Sequence, residues 1–294
     1  MEREYKLSER RACELMGVER SSCRYECRPQ GDAQIRQELV EWARKKPRYG
    51  YRRLTVLLRR AGREVNHKRV WRLCQQMQLT VGPRRRRRLQ RVRPPEALLT
   101  GRNQEWAMDF VSDATGSGAR LRALTLVDGY TRECLEIEVA ASLPSQRVTR
   151  VLERIGQQRG YPGRVRTDNG PEFISRWFEG WCQQKGIRVV HIEPGKPVQN
   201  AVIESFNGRL RDECLNANWF RNVAEAREKI GHWKWEYNQE RPHSSLGYRT
   251  PAEFAALAKA SAQARPSGFA WSSASASAIP LAEGEAILTG ESYL

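Results

Sequence analysis

Three carboxylates in the 294-residue sequence stand where an acid is either costly or specially aimed. Asp109 interrupts the apolar run Trp106-Ala107-Met108-Asp109-Phe110-Val111. A charge in the middle of a buried strand costs several kcal/mol unless a cation compensates it. Asp168 ends a short apolar stretch at Thr167-Asp168-Asn169-Gly170-Pro171, a turn that can aim its side chain outward from the carboxyl edge of a sheet. Glu204 lies in Asn200-Ala201-Val202-Ile203-Glu204-Ser205-Phe206, a helix expected to bury Val202, Phe206 and Leu210 on its other face. Taken singly, Asp168 reads equally well as a turn aspartate and Glu204 as a solvated helix acid. Taken together they suit a hard cation. Mg²⁺ takes oxygen ligands and keeps several of its waters, so a few carboxylates suffice and no histidine is required. Two such ions about 4 Å apart can activate an attacking oxygen and neutralise a leaving one in phosphodiester transfer. Among the neighbouring acids, Asp113 and Asp128 read as strand-end or turn residues, and Glu172 as a first-turn helix acid favoured by the dipole.

Such acids need a sheet to carry them. From Glu105 onward the pattern is mixed α/β. Strands are expected at 106–111, 123–128 and 134–139, then a helix over 145–158 with Val148, Val151, Leu152 and Ile155 on one face. A short strand at 165–167 leads to Asp168. A helix over 172–185 should turn Phe173, Trp177, Phe178 and Trp181 inward, and a fifth strand spans 188–192. Helices over 200–216 and 223–239 follow. Three strands, helix, strand, helix, strand, then helices is the order of a ribonuclease-H-like α/β domain built on a five-stranded mixed sheet. His191 reads as a DNA contact or as core packing. His243, in a Pro-containing loop after a long helix, reads as structural.

The region before this domain is all-α. Ser8 can cap a first helix, Ile35, Leu39 and Trp42 mark a second, and Tyr51 to Arg60 forms a third closed by Gly62. Asn66 caps a fourth, with Val70, Leu73 and Cys74 inward and Lys68, Arg69 and Arg72 pointing elsewhere. Two short helices joined by a tight glycine turn, the second basic, form a helix-turn-helix pattern. Charge supports a polyanion partner. Residues 1–100 hold 27 Lys and Arg against 11 Asp and Glu, whereas residues 101–294 hold 24 against 23. Arg84, Arg85, Arg86, Arg87 and Arg88 form an unbroken run that repels itself into an extended tether and could follow a phosphate backbone. The expected division is residues 1–80 helical, 81–104 an Arg-rich linker, 105–258 the α/β domain with its C-terminal helices, and 259–294 a disordered Ala- and Ser-rich tail. No apolar run of about 18 residues and no signal-peptide pattern occur, which argues against a membrane partner and for the cytosol. Seven scattered cysteines fit reduced thiols there.

The chain resembles the insertion-sequence transposases of the IS-three group, second-frame proteins that share a catalytic core with retroviral integrases. The resemblance rests on W-A-M-D-F at Asp109, R-T-D-N-G-P-E-F at Asp168, N-A-V-I-E-S-F-N-G-R-L-R-D-E at Glu204, and Y-N-x-x-R-P-H-S-S-L-G-Y-R-T-P-A-E-F over 237–254. It extends over roughly residues 5–255. It implies that Asp109, Asp168 and Glu204 are the catalytic and metal-binding triad, holding two Mg²⁺ ions for which Mn²⁺ can substitute. It implies that Arg211, two helical turns beyond Glu204, contacts DNA of the transposon end. It further implies a polynucleotidyl transferase that cleaves at transposon ends and joins the freed 3′-OH to target DNA, as a homo-oligomer on DNA in the bacterial cytosol and nucleoid. An upstream-frame helix-turn-helix protein is an implied partner, and a non-catalytic end-binding regulator that needs this partner is the alternative.

Overall fold

The computed structural model describes residues 7–25, 31–79, 81, 98–193 and 200–263. Its first part is helical. α1 (Glu9–Met16) is capped by Ser8, whose hydroxyl accepts from Arg11 N, and α2 (Arg20–Cys23) is a single turn beyond it. α3 (Asp32–Lys45), α4 (Tyr51–Arg60) and α5 (His67–Gln76) bury Ile35, Leu39, Leu54, Leu58, Val70 and Leu73 in one small core. The turn between α4 and α5 needs Gly62, whose φ is +80°, and Arg63 N closes it on Leu58 O at 3.0 Å. Asn66 caps α5 by accepting from Lys68 N at 3.0 Å. This is the expected helix-turn-helix pair.

The second part is a five-stranded sheet in the order β3-β2-β1-β4-β5. β1 (Glu105–Ala114), β2 (Arg120–Asp128) and β3 (Cys134–Ala140) form an antiparallel meander, and β4 (Arg164–Thr167) and β5 (Arg188–His191) add in parallel. Both faces are covered, as parallel additions through helical crossovers require. Ala107 and Val111 of β1 face α8 (Ala201–Glu213) and α9 (Val223–Gln239), packing near Phe206, Leu210 and Trp233. Trp106 and Met108 face α6 (Ser145–Arg159) and α7 (Arg176–Gln184), near Leu152, Phe173 and Phe178. The outer edge of β3 is closed by α9. Asn238 accepts from Cys134 N at 2.9 Å and donates to Cys134 O at 2.8 Å, and Arg227 Nε donates to Val139 O at 2.8 Å.

A 3-10 turn at Ser244–Leu246 and α10 (Pro251–Gln263) are the last of the described elements, and this region meets the helical part. Lys46 pairs with Glu236 at 2.5 Å, and Arg60 with Glu253 at 2.8 Å. His243 is buried beneath Tyr237 at a ring separation of 4.7 Å, as its structural reading anticipates.

Several local expectations need correction. The turn after Asp168 runs further than its sequence suggests, so α7 starts only at Arg176, where Ser175 caps it by accepting from Phe178 N. Glu172 therefore precedes the helix and is ion-paired with Arg122. Trp177, expected inward, is 56% exposed, because the later start rotates it to the rim. On α8, Ile203 rather than Val202 is fully buried, and the helix gives way to a 3-10 turn at Leu215–Ala217. α10 carries regular structure to Gln263, past the expected boundary at 258. The arginine run at 84–88 and the remainder of the expected tail lie outside the described residues.

Candidate active site

Strand alternation places Asp109 on the α8 side of the sheet, between Ala107 and Val111. Parallel pairing then brings Asp168 toward it. β1 and β4 pair Glu105 with Arg164 and Ala107 with Arg166, and the same offset carried two residues on sets position 168 beside position 109. Adjacent strands lie about 4.8 Å apart. Glu204 arrives from above, exposed in the first turn of α8.

The Asp109 carboxylate is held at both oxygens. Oδ1 accepts from Phe110 N at 2.7 Å, and Oδ2 accepts from Asn207 Nδ2 at 2.9 Å. Asn207 is fixed in turn by Thr125 Oγ1, which donates to its Oδ1 at 2.9 Å and lies 3.0 Å from Asp109 O. Burial pushes the Asp109 carboxyl up to about 6. The two hydrogen bonds oppose that rise, while the charges of Asp168 and Glu204 add to it. Asp168 Oδ1 accepts from Gly170 N at 3.1 Å, and a Cβ at Gly170 would stand 3.1 Å from the same oxygen, so this turn suits glycine. The strand end is braced by His191, whose Nδ1 lies 3.1 Å from Thr167 Oγ1 and 3.3 Å from Asp168 O.

The structure thus brings Asp109 and Asp168 together and leaves Glu204 within electrostatic reach. Among the described residues, no group of three His, Cys, Asp or Glu side chains is gathered tightly enough to grip a metal ion. The donor set still fits one. Asp109 feels the charges of Asp168 and Glu204 from two other parts of the fold, the ligand atoms are hard oxygens, and a divalent cation removes that repulsion. The competing acids are engaged elsewhere. Asp128 is fully buried and accepts from the N–H groups of Asn103, Tyr130 and Thr131, and Asp113 accepts from Ala114 N.

The expected DNA contacts are scattered. Arg211 is exposed on α8 and reaches Ser112 O at 3.4 Å. Lys68 is exposed on α5. Arg69 and Arg72 of the same helix reach Asp32 at 2.6 and 3.5 Å, so part of that basic face closes onto the start of α3. Sequence reasoning missed Asn207 and Thr125. A signal existed for Asn207, which lies three residues after Glu204 on a face otherwise apolar. For Thr125 the sequence held no such cue, because its place directly opposite Asp109 follows only from the strand pairing.

Residues 100–197 and 185–251 match the family described as integrase core domain, and residues 32–88 match the HTH-like domain. The chain is 45% identical over 265 residues to the 31.7 kDa protein of insertion element IS407 from Burkholderia multivorans, covering 90% of this chain and 95% of that one. It is 49% identical over 254 residues to the 39.2 kDa protein of insertion element IS476 from Xanthomonas euvesicatoria, covering 85% and 73%. The transposase of insertion sequence element IS904 from Lactococcus lactis is 28% identical over 223 residues, covering 71% and 88%. With relatives this similar along most of its length, the chain belongs to the insertion-sequence transposases that carry an integrase core domain.

Proposed function

We propose that this transposase cuts DNA at the ends of its element and joins the freed 3′-OH to target DNA, with Asp109, Asp168 and Glu204 as the metal-holding acids. The observation that carries the assignment is Asp109. It is a largely buried carboxyl, locked by Asn207 and Phe110 N and pressed by the charges of the other two acids. Mg²⁺, as two ions and replaceable by Mn²⁺, would supply Lewis-acid activation of the attacking and leaving oxygens. The protein's own residues provide the aim. Asn207 and Phe110 N fix both oxygens of Asp109, Gly170 N fixes one oxygen of Asp168, and the exposed Glu204 has the rotamer freedom to turn toward the pair. Arg211, Lys68, Arg69, Arg72 and the run from Arg84 to Arg88 are assigned to DNA. The helical region at 1–80 then grips the end, 81–104 tethers it, and 105–258 does the chemistry. Joining two ends calls for at least two copies on DNA, in the nucleoid. Among the described residues no helix is long and apolar enough to cross a membrane.

The test is strand transfer on a labelled end duplex with Mg²⁺ or Mn²⁺. Asp168→Asn is expected to lose product at least a hundredfold while retaining DNA binding. A second reading draws on the open acid set: an end-binding regulator that acts only with an upstream-frame partner. Duplex binding with no metal-dependent product under any condition would establish that reading and end the catalytic one.

A further inference from the structure

Four arginines gather where the helix-turn-helix pair meets the catalytic domain, and Arg241 and Arg53 share the Glu213 carboxylate. Arg241 follows α9 and is 2% exposed; its Nε and Nη2 donate to Glu213 at 2.8 and 2.6 Å. Arg53 of α4 reaches the same carboxylate at 3.9 Å. Both guanidiniums sit over the Tyr49 ring, at 5.3 Å for Arg53 and 5.9 Å for Arg241. Arg209 lies on α8 one turn before Glu213, so the two share a helix face. Its Nη1 donates to Ser205 O at 3.1 Å. Arg132 comes from the β2–β3 turn, held there by a left-handed backbone with φ +62°. A non-glycine residue keeps that conformation only when its surroundings impose it. Arg209 senses the charges of Arg241 and Arg132, while Arg132 also feels Asp128 and Glu105.

The other acids nearby are committed to different cations. Lys46 takes Glu236, Arg159 approaches Asp128, and Arg164 and Arg166 take Glu105. Burial lowers the Arg53, Arg132 and Arg209 guanidiniums from their usual range, opposed by Glu213 at Arg53 and Arg209 and by the shared Asp128 and Glu105 at Arg132. His243 lies beside them and is only 4% exposed. Its Nε2 has no hydrogen-bond partner among the described residues, and the charges it senses are those of Arg241, Arg209 and Arg53. Arg53 remains 27% exposed at its side chain, and Arg132 and Arg209 are half-buried, so the cluster opens to solvent.

We propose that Arg53, Arg132, Arg209 and Arg241 form a seat for one backbone phosphate of duplex DNA, clamped between α4 of the helix-turn-helix pair and α8 of the catalytic core. Two oxygens of a phosphodiester suit guanidinium donors, and they supply the missing negative charge. The seat couples grip to chemistry, because α8 also carries Glu204 and Asn207. This inference rests on the transposase reading and names a contact that reading does not require.

The test uses the full chain and the double variant Arg132→Gln/Arg209→Gln, which spares the Glu213–Arg241 pair. Affinity for a labelled duplex is followed against KCl, for an element end and for a random sequence. The variant should bind several-fold more weakly to both. Its log–log salt slope should be shallower by about 1 for the phosphate lost. Its melting temperature should hold or rise, because like charges have been removed. A charge-matched control, Arg150→Gln/Arg176→Gln, lies on the α6–α7 face and should leave the slope unchanged. Inorganic phosphate should raise the melting temperature of the parent chain over KCl of equal ionic strength, and not that of the seat variant. An unaltered slope in the seat variant, or an equal change in the control, overturns the seat, even if inorganic phosphate binds. A parent chain that binds neither duplex at any salt sinks the DNA reading itself, a separate result.

Discussion

At the scale of single residues, Asp109 shows a conflict between stability and chemistry. Folded and metal-free, its carboxyl holds a proton to about pH 6, whereas in the unfolded chain it ionises near 3.8. Between those values the folded state binds the extra proton, so stability falls as pH rises and stays reduced at neutrality. Asp109→Asn should therefore raise the metal-free melting temperature at pH 7, a gain of about 1–3 kcal/mol that shrinks toward pH 4, while abolishing strand transfer. An unchanged midpoint at pH 7 would mean that the acid is not under pressure. Asn207→Ala should lower strand transfer about tenfold to a hundredfold with duplex affinity retained, and Asn207→Asp should be worse, since it sets another acid against Asp109. The three proposed acids stand out in the sequence because each breaks a local pattern and matches a family motif. Asn207 and Thr125 do not, because one polar residue on an apolar face gains meaning only once the strand it meets is known.

Among the elements, α8 carries the most. One side buries Ile203, Phe206 and Leu210, its first turn presents Glu204, and its last turn presents Glu213 to Arg241. β3 was legible from its alternation and α6 from apolar residues at helical spacing, whereas β1 and β2 stood out as nearly continuous apolar runs. The start of α7 was not, because Ser175 and the Asn169-Gly170-Pro171 turn compete for where the helix begins, and only the packing of Phe173 and Phe178 decides it. α6 depends on a close approach that its pattern does not announce. A Cβ at Gly156 would stand 2.3 Å from the Tyr161 ring. Gly156→Ala should destabilise the protein by about 1–3 kcal/mol, and Tyr161→Ala in the same chain should return part of that loss. Thermal unfolding of the single and double variants would check it.

For the molecule as a whole, the charge asymmetry was readable at once, but its use was not. Part of the basic excess joins the helical region to the core, through Lys46, Arg53 and Arg60. Arg241→Ala leaves Glu213 buried without its close partner and should cost about 3–5 kcal/mol, seen as a large drop in denaturation midpoint; Glu213→Gln in the same background should recover much of it. The arginine run makes a different prediction. Changing Arg84 to Arg88 together to Gln should flatten the salt dependence of DNA affinity by several units of slope if the run tracks phosphates, whereas an unchanged slope would mark it as a tether.

The clamps from Asn238 and Arg227 on the outer margin of β3 have a consequence for how copies of this protein meet. An unguarded strand margin invites a neighbour to zip alongside it, and a concentrated population would stick together away from any chromosome. With Cys134 N, Cys134 O and Val139 O already bonded, that margin offers a neighbouring copy fewer free backbone groups to zip against.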